Sequence, residues 1–249
     1  MFVAATSRCF NHLSLEAALL QLVELEYSAV EIMLEERDGH FKPSQVAADL
    51  EQAIVLCRQS HRLTPVALGV DIDAPEPEYY RQFTACCRLA KAIKVVTVNV
   101  RSGELGTPFN AEVERLRKLV AIAARDGIRV GLLTEKGRMT ENPDTAVVLC
   151  DHVKGLGIAL DPSHYLHLPH AGLHLEQMLK RVYHVRLRDS TPDQVQVRVG
   201  QGEVEYGRII SQLSKVHYDR ALCVDILPMP DVDQLTEMRK MRLLLESLL

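Results

Sequence analysis

Three carboxylates, Glu135, Asp161 and Asp225, each close a short apolar run in the second half of the chain, and a fourth run carries His184 and Arg186 two residues apart. The runs cover residues 130–135, 156–164, 182–189 and 221–225. Carboxylate oxygens are hard donors: gathered at one point, they can hold Mn²⁺ or Mg²⁺, or pass a proton to and from a carbon beside a carbonyl. His164 follows Asp161 by three residues and adds an imidazole able to orient a hydroxyl. Such a gathering requires the four runs to be strands whose ends point the same way.

The elements needed for that are written along the whole chain. Amphipathic stretches of helical length separate the four runs, near residues 145–153, 173–181 and 206–216. The first half repeats the pattern: apolar runs at 2–9, 29–34, 65–70 and 95–100 alternate with helical spacing at 15–26, 44–61, 78–93 and 111–125, and residues 233–249 close as a helix. Ser14 suits the cap of the first helix and Pro43 the opening turn of the second. Strand and helix in strict alternation build a parallel sheet, and eight of each is the count of a closed (β/α)8 TIM barrel, an α/β fold in which residues 1–249 form a single domain. An open doubly wound sheet is the alternative, but no GxGxxG or GxxxxGK[ST] fingerprint supports it. In either architecture the strand ends converge on one face, where the chemistry sits.

Composition limits the partners. The 249 residues are 47% hydrophobic and 25% charged, enough apolar material for one large core under a wet surface. A net charge of -4 without a basic patch argues against nucleic acid, and no run of about 18 apolar residues offers a membrane span. The six cysteines form no CxxC pair, and several lie in apolar runs where a thiol packs as a small hydrophobe. With no signal peptide evident at the amino terminus, a cytoplasmic location is expected.

The ordered succession of these motifs resembles the xylose isomerase-like superfamily of sugar and sugar-phosphate isomerases and epimerases. The counterparts are Glu135, the Asp161-Pro162-Ser163-His164 run, the 184–189 strand against the family's HvHlkD, the Gly200-Gln201-Gly202 turn, and Asp225. The resemblance implies a TIM barrel, a small-molecule sugar or sugar-acid substrate, a possible homodimer, and a divalent metal, Mn²⁺ or Mg²⁺, held by two Glu, one Asp and one His. Carried over position by position, the metal set is Glu135, Asp161 and Asp225, with Glu135 and Asp225 also the catalytic proton carriers.

Two departures alter that implication. Arg186 stands where the family has its metal-binding His, and Asp225 is one methylene shorter than the family's Glu. A guanidinium stays protonated, has no lone pair for a metal and repels a dication. The expectation is that Arg186 replaces the ion as a fixed organic cation neutralising Glu135, Asp161 and Asp225. His164, His184, Arg186, Asn99 and Arg101 are then the candidate substrate-binding residues. An isomerase or epimerase working by proton transfer next to a carbonyl is the first functional reading; a catalytically inactive sugar-binding barrel, or a related lyase or dehydratase, is the alternative. A zinc-dependent DNA-repair branch of the same barrel fits poorly with the acidic charge and the missing His.

Other positions carry plainer expectations. Arg188 and Asp189 suit an ion pair at the rim; the charged run at residues 35–38 reads as solvated, and Glu31 as a possible contact to a substrate hydroxyl. His164, His167, His170 and His174 make a histidine-rich stretch, interrupted by Pro169, that reads as surface loop rather than a second metal site.

Overall fold

Eight parallel strands hydrogen-bond in chain order, and the eighth returns to the first, in the computed structural model, which describes residues 1–166 and 177–249. The closed barrel, not the open sheet, is the architecture. The strands are β1 (Phe2–Thr6), β2 (Ala29–Glu35), β3 (Thr64–Asp71), β4 (Thr97–Val100), β5 (Arg129–Leu133), β6 (Leu156–Leu160), β7 (Val182–Leu187) and β8 (Ala221–Val224). The helices that lie wholly among the described residues are α1 (Leu15–Glu24), α2 (Pro43–Ala48), α3 (Leu50–Arg58), α4 (Glu78–Ala92), α5 (Phe109–Ala124), α6 (Pro143–His152), α7 (Tyr206–Lys215) and α8 (Gln234–Glu246). Closure is carried by β1 against β8, in register from Phe2 on Ala221 to Ala5 on Val224. No helix among the described residues is long and apolar enough to cross a membrane. His167, His170, His174 and residues 173–176 of the helix expected over 173–181 lie outside the described residues.

Local chemistry accounts for the boundaries. Ser14 Oγ accepts from Ala17 N at 3.3 Å and caps α1, and Pro43 opens α2 where its missing N–H is not needed. The single helix expected over 44–61 is two, because Asp49 leaves helical geometry and its carboxylate accepts from Gln52 N at 2.9 Å, capping α3. β1 ends at Thr6 and Ser7–Phe10 turns as a 3-10 helix, three residues short of the run read from the sequence.

Every strand sends alternate side chains to opposite faces. On β2, Val30, Ile32 and Leu34 face outward and join the main core, each contributing about 1.5–3 kcal/mol by its burial. Glu31, Met33 and Glu35 point the other way, into the barrel and its mouth. The same alternation puts Arg8 beyond β1, Asp71 on β3, Asn99 and Arg101 at β4, Glu135 beyond β5, Asp161 beyond β6, His184, Arg186 and Arg188 at β7, and Asp225 beyond β8 on the inner side.

A barrel interior is ordinarily filled by bulky branched side chains. On the side of β1, β2 and β8 small residues take their place: Ala4, Ala29, Ala221 and Cys223 form a separate buried cluster. Elsewhere the strands narrow to glycine where long polar side chains cross. A Cβ on Gly69 would stand 2.4 Å from Met33 Sδ and 2.6 Å from Arg186 Nη2, and one on Gly131 would stand 2.4 Å from Asn99 Oδ1. Gly69 thus leaves the room that Arg186 fills.

Candidate functional site

The mouth opens into a cavity of about 210 Å³ whose lining includes Arg8, Glu35, Asp71, Arg101, Glu135, Asp161, His164, Arg186 and Arg188. Glu135 and Asp161 therefore share one mouth. Asn99, His184 and Asp225 lie behind the wall, at 0%, 3% and 0% exposure.

The deepest layer is built on Glu31. Its carboxylate accepts from Arg186 Nε at 2.9 Å and Nη2 at 2.6 Å, and from Asn99 Nδ2 at 2.8 Å; His184 Nε2 lies 2.9 Å from Oε2. Burial alone would raise this carboxyl, but the Arg186 guanidinium and His184 outweigh it and hold it well below the usual carboxylate range. The register of β2 on β3 shifts between Val30 and Glu31, an irregularity of the kind that re-aims a side chain.

Asp225 forms the next layer. Oδ1 accepts from Thr6 Oγ1 at 2.8 Å and Arg8 Nε at 2.7 Å, while Oδ2 accepts from Arg8 Nη2 and from Arg188 Nη2 at 2.7 Å. Four donors use its four lone-pair positions. Against the raising effect of burial, Arg8 and Arg188 hold this carboxyl well below its ordinary value.

Arg188 joins that layer to Asp161. Its Nε and Nη2 reach Asp161 Oδ2 at 3.1 and 2.8 Å, and Asp161 Oδ1 accepts from Ser163 N at 3.0 Å and from Ser163 Oγ. Asp161 too is buried yet lowered, chiefly by Arg188. His164 Nε2 stands 3.6 Å from Asp161 Oδ2, and its Nδ1 accepts from Lys136 N at 3.2 Å, which puts the imidazole proton on Nε2. Burial holds the His164 pKa below its ordinary value, so the ring is neutral at pH 7.

Glu135 completes the mouth. It takes a forked pair from Arg101, Nε at 2.9 Å and Nη2, with Arg138 Nε at 3.3 Å; Arg101 Nη1 also reaches Asp71 Oδ2 at 2.8 Å. Burial opposes these cations, which still lower the carboxyl. Glu35 is held loosely: its carboxylate accepts one hydrogen bond, from Arg8 Nη1 at 3.3 Å, and burial raises its pKa.

A family model for the xylose isomerase-like TIM barrel matches residues 19–245. The chain belongs to that family. Among solved structures it is similar to a 3-keto-D-glucoside 4-epimerase from E. coli, at 14% identity and TM-score 0.77 over 99% of both chains. It is also similar to a probable 3-DHS dehydratase involved in petrobactin synthesis from Bacillus anthracis, at 15% identity and TM-score 0.72 over 99% of both chains. A third similar structure, a xylose isomerase-like TIM barrel protein from Mycobacterium smegmatis in complex with magnesium, has 17% identity and TM-score 0.76 over 99% of this chain and 97% of the other. At these identities the likeness concerns the fold. No curated protein matches the sequence.

The family's metal set can be tested against the side chains present. Glu135, Asp161 and Asp225 are each engaged by one or more arginines, and the place between Asp161 and Asp225 is spanned by Arg188. A dication there would stand among Arg8, Arg186 and Arg188, and the donor set does not fit one. Glu31, His184 and Cys223 also place possible ligand atoms within 4.8 Å of one another. That group fits no better: Arg186 donates two N–H bonds to Glu31, so a dication there would stand against the guanidinium.

Two expectations change in the structure. Arg186 pairs with neither Glu135 nor Asp161; it is committed to Glu31, and of the three expected partners it reaches only Asp225, with Nη1 3.9 Å from Oδ2. Arg188 does not pair with Asp189. Neighbours on a strand face opposite ways, so Arg188 enters the barrel while Asp189 accepts from Gly200 N at 2.8 Å and Gly202 N at 3.0 Å, fixing the glycine turn. Arg8, Glu31, Glu35 and Arg188 were the site residues with weak or no sequence signal; the period of two from Thr6 to Arg8, and from Arg186 to Arg188, is the signal that places two of them.

Proposed function

We propose that this chain recognises a sugar or sugar-derived acid in the mouth cavity without a divalent metal, arginine side chains standing where the family places its cation. The observation that carries this reading is Asp225, saturated by Thr6, Arg8 and Arg188 with no lone pair left for an ion. The cavity wall, alternating guanidinium and carboxylate groups, offers the paired donors and acceptors that hydroxyl-rich molecules require. The epimerase activity named for one similar structure, and the dehydratase activity named for another, agree with a small polyhydroxylated ligand. Titration calorimetry against a panel of ketoses, aldoses and sugar acids in excess chelator tests it. Saturable binding is expected; binding that appears only after Mn²⁺ or Mg²⁺ is added would overturn the metal-free reading.

A second reading, turnover by proton transfer beside a carbonyl, is favoured by Glu35. Glu135 and Asp225, the proton carriers implied by family resemblance, are both lowered and held by N–H donors, which makes them weak bases. Glu35 is raised and sparingly bonded, and the neutral His164 follows β6, diametrically across the barrel from β2. A general acid and base on opposite sides of a bound sugar is the arrangement that epimerisation needs. Deuterium uptake into a bound sugar from solvent, abolished by Glu35→Gln but not by Asp225→Asn, is the expected result; the reverse pattern refutes the assignment.

A further inference from the structure

Arg186 and Arg188 are 2% and 6% exposed, and both line the cavity. Their Nε and Nη2 atoms are spent on Glu31, Asp161 and Asp225. Among the described residues neither Nη1 has a hydrogen-bond partner; the nearest acceptor to Arg186 Nη1 that forms an ion pair is Asp225 Oδ2, at 3.9 Å. Nor is either Nη1 among the solvent-sealed polar atoms left without a partner, so both keep contact with the cavity. Two buried cations therefore turn unused N–H groups toward one small space.

We infer that the ligand carries a carboxylate, seated on the Nη1 groups of Arg186 and Arg188, and that the sugar-binding reading above narrows to sugar acids such as uronates and aldonates. The inference rests on that reading for the hydroxyl-bearing part of the molecule. Each free Nη1 can donate one charge-assisted hydrogen bond to a carboxylate oxygen, and such a bond away from bulk water is among the stronger polar contacts. Among the described residues four arginines and four carboxylates line the cavity, with Glu31 and Asp225 behind them. The surrounding carboxylates oppose any added anion, and a phosphate dianion about twice as strongly as a carboxylate, so a monoanion is the charge that the two Nη1 donors offset best.

The test is calorimetry on the full chain at pH 7 with chelator, using D-glucuronate, D-gluconate, D-glucose and D-glucose 6-phosphate. Glucuronate or gluconate is expected to bind at least about tenfold tighter than glucose, and tighter than the phosphate ester. Glucose binding as tightly as glucuronate overturns the carboxylate inference and leaves the sugar pocket standing. Glucose 6-phosphate binding tightest overturns it in favour of a phosphate. Absence of binding by all four overturns both. Arg188→Lys, which keeps the charge but removes the fork, is expected to abolish the preference for glucuronate over glucose; a preserved preference in a folded variant also overturns the seat.

Discussion

Replacing Arg188 by Met gives the sharpest test of the charge network. Arg188 is the only cation that touches both Asp161 and Asp225 among the described residues, at 2.8 and 2.7 Å from Nη2. Asp225 would keep Arg8 and Thr6, but Asp161 would keep only Ser163 and the neutral His164. Leaving one buried charge without its partner costs about 3–5 kcal/mol, and at this chain length each kcal/mol lowers Tm by about 2–4 °C. The variant is therefore expected to melt about 6–20 °C lower at pH 7.

The pH dependence separates this electrostatic loss from a packing loss. Arg188 depresses the Asp161 carboxyl. A depressed folded-state pKa contributes stability that is present above the unfolded value, about 3.9, and is lost as pH falls through the folded value. Without Arg188 that contribution vanishes at neutral pH, and Asp161 protonates at a higher pH. The gap in Tm between wild type and Arg188→Met must then narrow from pH 7 toward pH 4. Calorimetric scans at intervals across that window read it directly. A gap below about 2 °C at pH 7, or one constant across the window, would refute the role given to Arg188.

Three further outcomes follow from the same geometry. Glu35 is the cavity carboxyl raised by burial, so its ionisation opposes folding above the unfolded pKa near 4.3; Glu35→Gln is expected to stabilise by about 0.5–1 kcal/mol at pH 7, with the gain fading toward pH 4 in thermal scans. Gly69→Ala puts a Cβ against Met33 and Arg186 and is expected to cost about 1–3 kcal/mol, measured by urea denaturation; an unchanged midpoint would mean that the lumen has slack there. Arg186→His restores the family's residue but leaves Arg8 and Arg188 on Asp225, so it is expected to bind no Mn²⁺ by metal analysis while losing up to about 3 kcal/mol, because Glu31 loses its forked cation and keeps only Asn99 and His184.

How much of this could be read beforehand depended on whether the signal was local. Glu135 and Asp161 were legible because each follows an apolar run, and the three-residue step from Asp161 to His164 is a local pattern. The pairing of charges was not, because Arg8 reaches Asp225 across 217 residues of chain and Arg186 reaches Glu31 across 155. Periodicity says which side chains enter a barrel, but not which anion each cation will choose. Asp49 shows the opposite case. The apolar spacing over 44–61 reads through it, and the hydrogen bond its carboxylate accepts from Gln52 N divides the helix.

In the metal-free reading proposed above, guanidinium groups stand in for a metal, and that exchange takes more than one residue. A dication concentrates two charges at a point and accepts several oxygens in any direction; a guanidinium spreads one charge over three nitrogens and donates only in its plane. Meeting Glu31, Asp161, Asp225 and Glu135 therefore takes Arg186, Arg188, Arg8 and Arg101, drawn from β7, β1 and β4. Arg186 takes the volume that Gly69 leaves open, and the small Ala4, Ala29, Ala221 and Cys223 form a separate buried cluster. Gly69 and Arg186 constrain one another. Because every fork is already closed on a carboxylate, the unpaired Nη1 groups are held in place before any ligand arrives, and such preorganised donors bind an oxyanion without first paying for their own ordering.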